Sequence, residues 1–202
     1  MKKNKIIIIL VAVAAFFLVT ASILFFWGVL NYNSLVDKEE TVNSQWANVE
    51  TQYQRRSDLI PNLVATVKGY ATHESSTLEG VVAARAKATQ VTIDPANLTP
   101  EKLQEYQAAQ GQVSSALGKL LMITENYPDL KANQNFLELQ AQLEGTENRI
   151  SVERTRFNEV AQAYNTSIRR FPNSIFSSMF GFDKKPYFEA AKGSETAPAV
   201  KF

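Results

Sequence analysis

The chain contains no cysteine and only one histidine, His73. Without cysteine there is no disulfide framework, thiolate nucleophile or thiolate metal site. One histidine cannot form a catalytic His pair or a poly-His metal centre. The lack of cysteine is compatible with an oxidising compartment. His73-Glu74 has no second histidine at zinc-protease spacing, so a surface or capping role is expected for His73. No P-loop, G-x-G-x-x-G or G-x-S-x-G occurs, and no cofactor is implied. Glycine is sparse between Asn31 and Phe171, where the only prolines are Pro61, Pro95, Pro100 and Pro128. Ala, Gln, Glu, Leu and Val dominate that stretch, which is a helix composition. Charge of one sign is also lacking. With Lys2, Lys3 and Lys5 set aside, 18 basic face 20 acidic side chains, which is no electrostatic footprint for nucleic acid.

What the chain does have is a long apolar run, residues 6–30, from Ile6 to Leu30, without a charged side chain. As a helix rising about 1.5 Å per residue it exceeds the ~30 Å hydrocarbon core of a bilayer. Thr20 and Ser22 can bond back to their own helix, and Phe25, Phe26 and Trp27 cluster where an aromatic belt would sit. Lys2, Lys3 and Lys5 precede the run, and Asp37-Lys38-Glu39-Glu40 follows it. The positive-inside rule then places the N-terminus in the cytoplasm and the rest outside it, in a single-pass cell-membrane protein. A cleaved signal peptide competes with this reading, but the run is longer than a usual h-region and no A-x-A-like site follows. The chain divides into 1–30 (cytoplasmic tip and transmembrane anchor), 31–171 (helical bundle) and 172–202 (aromatic tail and mobile C-terminus).

Three apolar stripes follow helical spacing. Val42, Trp46, Val49 and Tyr53 continue in phase through Arg56 to Ile60, Leu63, Val67 and Tyr70. A second stripe holds Leu103, Tyr106, Val113, Leu117, Leu120 and Tyr127. In the third, Phe136, Leu143, Ile150, Phe157, Tyr164 and Phe171 stand seven apart. Thr99-Pro100-Glu101 reads as an N-cap with Pro at the first helical position, and Tyr127-Pro128 and Phe171-Pro172 as breaks. Pro61 leaves two topologies. A reversal at 57–61 gives segments 32–56, 59–88, 99–126 and 129–171, hence an all-α fold with a transmembrane helix and an antiparallel up-down four-helix bundle. The alternative is three long helices, the first kinked at Pro61. Continuity of the stripe's phase across Pro61 favours the kink, and matching helix lengths favour the reversal, which is the topology expected.

Charged residues on the stripes need partners. Arg56, Glu74, Glu147 and Arg154 are candidates for a polar core or groove, with Asn148, Asn158 and Asn165 nearby in pattern. In an antiparallel pair of helices contacting residue numbers sum to a constant, so Arg56–Glu147 and Glu50–Arg154 fit one register. In the tail, Ile175, Phe176, Met179, Phe180 and Phe182 have the spacing of a short amphipathic helix and are candidates for membrane-surface contact. The competing expectation is that they close one end of the bundle.

Arg55-Arg56-Ser57-Asp58-Leu59-Ile60-Pro61-Asn62-Leu63-Val64, with Gly69-Tyr70 and His73-Glu74, resembles the signature of the LemA family. Tyr127-Pro128-Asp129-Leu130-Lys131-Ala132-Asn133, Leu143-Glu144-Gly145-Thr146-Glu147-Asn148-Arg149-Ile150 and Met179-Phe180-Gly181-Phe182 are similar to further blocks of it, as is Ala197-Pro198-Ala199-Val200-Lys201-Phe202 at the end of the chain. The resemblance implies a membrane-anchored helical bundle and envelope partners carrying TPM-type domains. It does not imply a biochemical activity. The function expected is a non-enzymatic scaffold or partner-binding module at the cell envelope. A lipid- or small-ligand-binding bundle and an enzyme using Glu74 and Glu147 are the alternatives. Expected partners are the lipid bilayer and an envelope or membrane protein, not nucleic acid; homo-oligomerisation is left open.

Overall fold

A computed structural model of the protein describes residues 2–189, with side chains from residue 10 onward. The side chains of Lys2, Lys3 and Lys5 and the C-terminal residues expected to be mobile lie outside the described residues. The α-helices are α1 (Lys2–Lys68), α2 (Ser75–Gln90), α3 (Pro100–Thr124), α4 (Pro128–Lys131), α5 (Gln134–Arg169) and α6 (Asn173–Phe180), with a 3-10 turn at Pro95–Asn97; no strand occurs among the described residues. Two compact units result, Met1–Thr41 with Ala163–Lys184 and Val42–Gln162 with Lys185–Phe202, so α1 and α5 contribute to both.

In the second unit the stripes become the core. Val42, Trp46, Val49, Tyr53, Ile60, Leu63 and Val67 of α1 are buried, as are Leu103, Tyr106, Val113, Leu117 and Leu120 of α3 and Phe136, Leu143, Ile150 and Phe157 of α5. α2 adds Leu78, Val81 and Ala88 to the same cluster. Each such side chain contributes about 1.5–3 kcal/mol on full burial. Trp46 meets Phe157 at 5.7 Å between ring centroids, and Arg56 meets Glu147. Both pairs sum to 203, so α1 and α5 run in opposite directions here.

The reversal expected at 57–61 is absent. α1 passes through Pro61 unbroken, as the alternative topology held, and the chain turns only at residues 69–74. The physical reason is visible at Ser57. Pro61 has no N–H to give the carbonyl four residues back, which ordinarily costs a helix about 3 kcal/mol. Arg85 of α2 supplies the missing donor: its Nε donates to the Ser57 carbonyl at 2.8 Å. The later turn is closed by Tyr70 and Ala71, whose amides both donate to the Val67 carbonyl at 3.0 and 2.9 Å. Tyr70 therefore leaves the stripe and is exposed, and its hydroxyl accepts from Asn133 Nδ2 at 2.9 Å. α3 begins as expected, with Thr99 Oγ1 accepting from the Lys102 amide at 3.3 Å. Phe171 also departs from its stripe: α5 ends at Arg169, before it, and Phe171 is 83% exposed.

In the first unit α1 is apolar on all sides from residue 10 to 30, and its large side chains are exposed, from Leu10 through Phe16, Phe17, Phe25 and Phe26 to Leu30. Its polar groups turn back on the backbone. Thr20 Oγ1 donates to the Phe16 carbonyl and Ser22 Oγ to the Leu18 carbonyl, both at 2.9 Å. Among the described residues α1 is the one helix long and apolar enough to cross a membrane. In the same unit α6 packs on α1, with Phe176 against Trp27 at 5.6 Å and Phe180 against Tyr32 at 5.0 Å. Gly28 faces the Phe176 ring, and a Cβ there would make ordinary van der Waals contact with it at 3.4 Å. Gly181, at φ +75°, ends α6 in the left-handed conformation that glycine adopts without penalty.

Candidate functional site

Arg56 stands on the buried face of α1 at 2% exposure, and its guanidinium is surrounded by acceptors from two other helices. Nη1 donates to Glu147 Oε1 at 2.5 Å and to Ser114 Oγ at 2.8 Å. Nη2 donates to the side-chain and main-chain oxygens of Gln110, at 2.6 and 3.1 Å. The cation also lies 5.1 Å from the centre of the Tyr53 ring. Arginine suits this place because its planar fork presents several donors at once and stays charged when buried. Glu147 is 41% exposed, so only the cation has left water entirely. The arrangement ties α1, α3 and α5 together at one level of the bundle.

The other candidates do not join this cluster. Glu74 sits at the start of α2, half-buried, where it accepts from Tyr127 Oη at 3.0 Å. That hydrogen bond is the main reason the Tyr127 phenol is held above its ordinary pKa. The end of α1 next to Glu74 lies roughly 20 Å from Arg56 at ~1.5 Å per residue. Glu74 and Glu147 thus face separate surroundings. Arg154 does not pair with Glu50, which is exposed; it turns to the tail, where a ring and a carbonyl offer a more sheltered partner. Asn148 is exposed, and His73 is exposed.

The tail residues that Arg154 meets form an extended strap, 185–189, on the second unit. Phe188 is the anchor. It stacks on Trp46 (5.8 Å, 8° between planes), meets Phe157 edge-on at 5.4 Å and lies 4.8 Å beneath the Arg154 guanidinium. Asn158 grips the same residue's main chain with both ends of its carboxamide. Its Oδ1 accepts from the Phe188 amide at 2.8 Å, and its Nδ2 donates to the Phe188 carbonyl at 2.9 Å. The next carbonyl, of Glu189, accepts from Arg154 at 3.0 Å and from Gln107 at 3.2 Å. Upstream, Lys185 Nζ donates to the Pro95 carbonyl at 3.5 Å. Tyr106 packs on Trp46 and Tyr53 in turn on Tyr106, and burial is the first cause holding both phenols above their ordinary pKa. Beside Glu189 opens a cleft of about 430 Å³, lined among others by Gln104, Gln107, Gly111, Glu147 and Arg154.

The pattern of charges on the stripes points to Arg56 and Glu147, and Asn158 stands among the asparagines noted with them. Gln107 and Gln110 carry no such mark. Both border the apolar stripe of α3 and are half-buried, and their signal was the polar run Gln104, Gln107, Gln110 at three-residue spacing that crosses into that stripe. In the first unit, Ile175, Met179 and Phe180 of α6 are exposed and Phe176 is half-buried against Trp27, while Phe182 is buried and packs on Tyr32 at 5.6 Å.

Known proteins resemble the chain over most of its length. Magnetosome protein MamQ 2 of Paramagnetospirillum magneticum is 24% identical over 184 residues, covering 83% of this chain and 68% of that protein. Magnetosome protein MamQ of Magnetospirillum gryphiswaldense is 26% identical with the same coverage. Protein LemA of Metamycoplasma hominis is 23% identical over 177 residues, 88% of this chain and 77% of the relative. The LemA family model matches residues 45–202, a span that takes in the arginine cluster, the strap and the groove beneath it, and the chain belongs to the LemA family.

Proposed function

We propose that the protein is a single-pass membrane protein whose helical unit binds partner proteins at the cell envelope and carries no catalytic role. One observation supports this most: α1 is apolar on every exposed face from residue 10 to 30, then carries a single buried stripe. A helix that is apolar all round suits lipid, and a striped one suits a protein core. The lysines before the span put the N-terminus on the cytoplasmic side and the helical unit outside. The separate settings of Glu74 and Glu147 speak against a carboxylate pair working on one substrate. α6 fits a second role, lying in the interface with the exposed Ile175, Met179 and Phe180 toward lipid, because Phe176 packs on Trp27 and Phe180 touches Tyr32 at the end of the apolar run.

In vivo crosslinking followed by purification from membranes tests the partner reading: stoichiometric protein partners are expected, and turnover of a substrate that is lost in Glu147→Gln would overturn it. A reporter fused after Phe202 should be active outside the cytoplasm; cytoplasmic activity would reject the orientation. For α6, the absence of cysteine allows one labelled cysteine at Phe180→Cys, and lipid-borne quenchers should dim it. An unquenched label on a folded chain would remove the interfacial helix. A ligand-binding bundle is the second reading, favoured by the 430 Å³ cleft, and a co-purified small molecule would establish it.

A further inference from the structure

We propose that the groove holding residues 185–189 is a recognition site for an extended peptide with an aromatic anchor. The chain's own tail fills it in cis, and a partner protein's segment of the same chemistry takes its place. This names the kind of partner within the partner-binding reading above and rests on that reading.

The argument starts from how the strap is held. It belongs to no helix, and side chains of the groove bind its main chain. Asn158 offers one acceptor and one donor to the N–H and C=O of a single residue, as a neighbouring β-strand would. Such contacts are indifferent to sequence, so any extended peptide satisfies them. Arg154 and Gln107 do the same for the following carbonyl. Two positions are read through their side chains: Lys185, whose Nζ donates to the Pro95 carbonyl, and the anchor, where Trp46 stacks on the ring, Phe157 meets its edge and Arg154 covers it, which selects an aromatic ring. A cleft of about 430 Å³ opens beside Glu189, and Gln104 stands on it one helical turn before Gln107. The tethered tail competes at high effective concentration, so it sets the threshold that a partner must exceed.

The test uses the full chain in lipid nanodiscs and a fluorescent synthetic peptide with the sequence of residues 183–191. The Phe188→Ala chain, its box vacated, should bind the peptide saturably by anisotropy. The unaltered chain should bind about tenfold or more weakly, because its own tail competes. Adding Asn158→Ala to the Phe188→Ala chain should cost about tenfold. A peptide with alanine at the position of Phe188 should not bind. No binding to Phe188→Ala at unchanged helix content, or binding indifferent to Asn158, overturns the proposal. Should Phe188→Ala lose helix content, a Glu189→Cys chain with an environment-sensitive dye reports displacement in the intact box. Unchanged emission at millimolar peptide then overturns the proposal too. A dimer of the unaltered chain that the peptide dissociates would support it, with a second copy as the occupant. Failure of the peptide together with crosslinked partners would remove this groove and leave the partner-binding reading standing.

Discussion

Between residues 10 and 30, α1 exposes Phe16, Phe17, Phe25 and Phe26 around its circumference, whereas from Val42 to Val67 it buries one stripe and presents polar groups elsewhere. Polar groups behave differently in the two stretches. In the first, Thr20 and Ser22 donate to their own helix. In the second, Thr51 and Thr66 do the same, but Gln45 Nε2 also reaches Glu153 Oε2 at 2.6 Å and Arg56 reaches Gln110, Ser114 and Glu147, all on other helices. The backbone is helical in both. What differs is the reach to other helices: the second stretch sends Gln45 and Arg56 across to its neighbours, and the first keeps Thr20 and Ser22 on its own backbone, as a lipid-facing surface requires.

The comparison can be broken in several places. The largest effect should come from Trp46→Ala, which empties the aromatic box and costs about 3–5 kcal/mol in thermal or denaturant unfolding. Phe25→Ala, in the apolar stretch, should leave that unfolding unchanged, and an equal loss from both would mean the two stretches are not different. Glu147→Ala should come next. It strands the buried Arg56 with neutral acceptors only, at about 3 kcal/mol, the low end for a buried pair because Glu147 is itself 41% exposed. A loss below ~1 kcal/mol would show that water already reaches the cation.

Leu18→Arg in the apolar run should cost about 3 kcal/mol of insertion, roughly a hundredfold in the membrane-integrated fraction by alkaline extraction. Thr51→Arg on the exposed side of the striped stretch should change neither insertion nor stability by more than ~0.5 kcal/mol. Arg85→Ala should cost about 1–3 kcal/mol by uncovering the Ser57 carbonyl. In a Pro61→Ala background, where a backbone N–H is restored, the loss should shrink, and a cycle without coupling would sink the account of Pro61.

The smallest effect should be alkaline. Burial raises the Tyr53 and Tyr106 pKa values, so their contribution is complete below the unfolded value of ~10 and is lost as pH rises from there toward the folded values. Circular dichroism should be flat to about pH 10 and weaken above it. Stability unchanged through pH 12 would contradict the burial of these rings.

Much of this was legible. The stripes are periodic because each helix buries one face, and every member of the third stripe from Phe136 to Tyr164 is in a core. The start of α3 at Thr99-Pro100 is local chemistry and reads locally. The pairing of Arg56 with Glu147 follows from a charge on a buried face and one antiparallel register. The passage of α1 through Pro61 read only as the alternative, from the unbroken phase of the stripe; it was not preferred because its cause, Arg85, stands 28 residues away and carries no mark of where it points. The strap was hidden for a similar reason. Aromatic density in the tail announces burial, but an extended segment has no helical periodicity to say against what. Arg154 was misassigned to Glu50 because register arithmetic compares helices only and leaves out the tail.

At Ser57 a backbone carbonyl takes its hydrogen bond from a side chain of another helix, and the division between secondary and tertiary structure disappears for that turn. α1 is not autonomous there: the turn is completed only while α2 is docked. Local opening at Pro61 is thereby coupled to the release of α2, and amide protons flanking the proline should exchange with the protection of that larger opening, not with the shallow protection of a fraying helix. A proline that elsewhere marks a weak point is, in this chain, a place where two helices stand or open together.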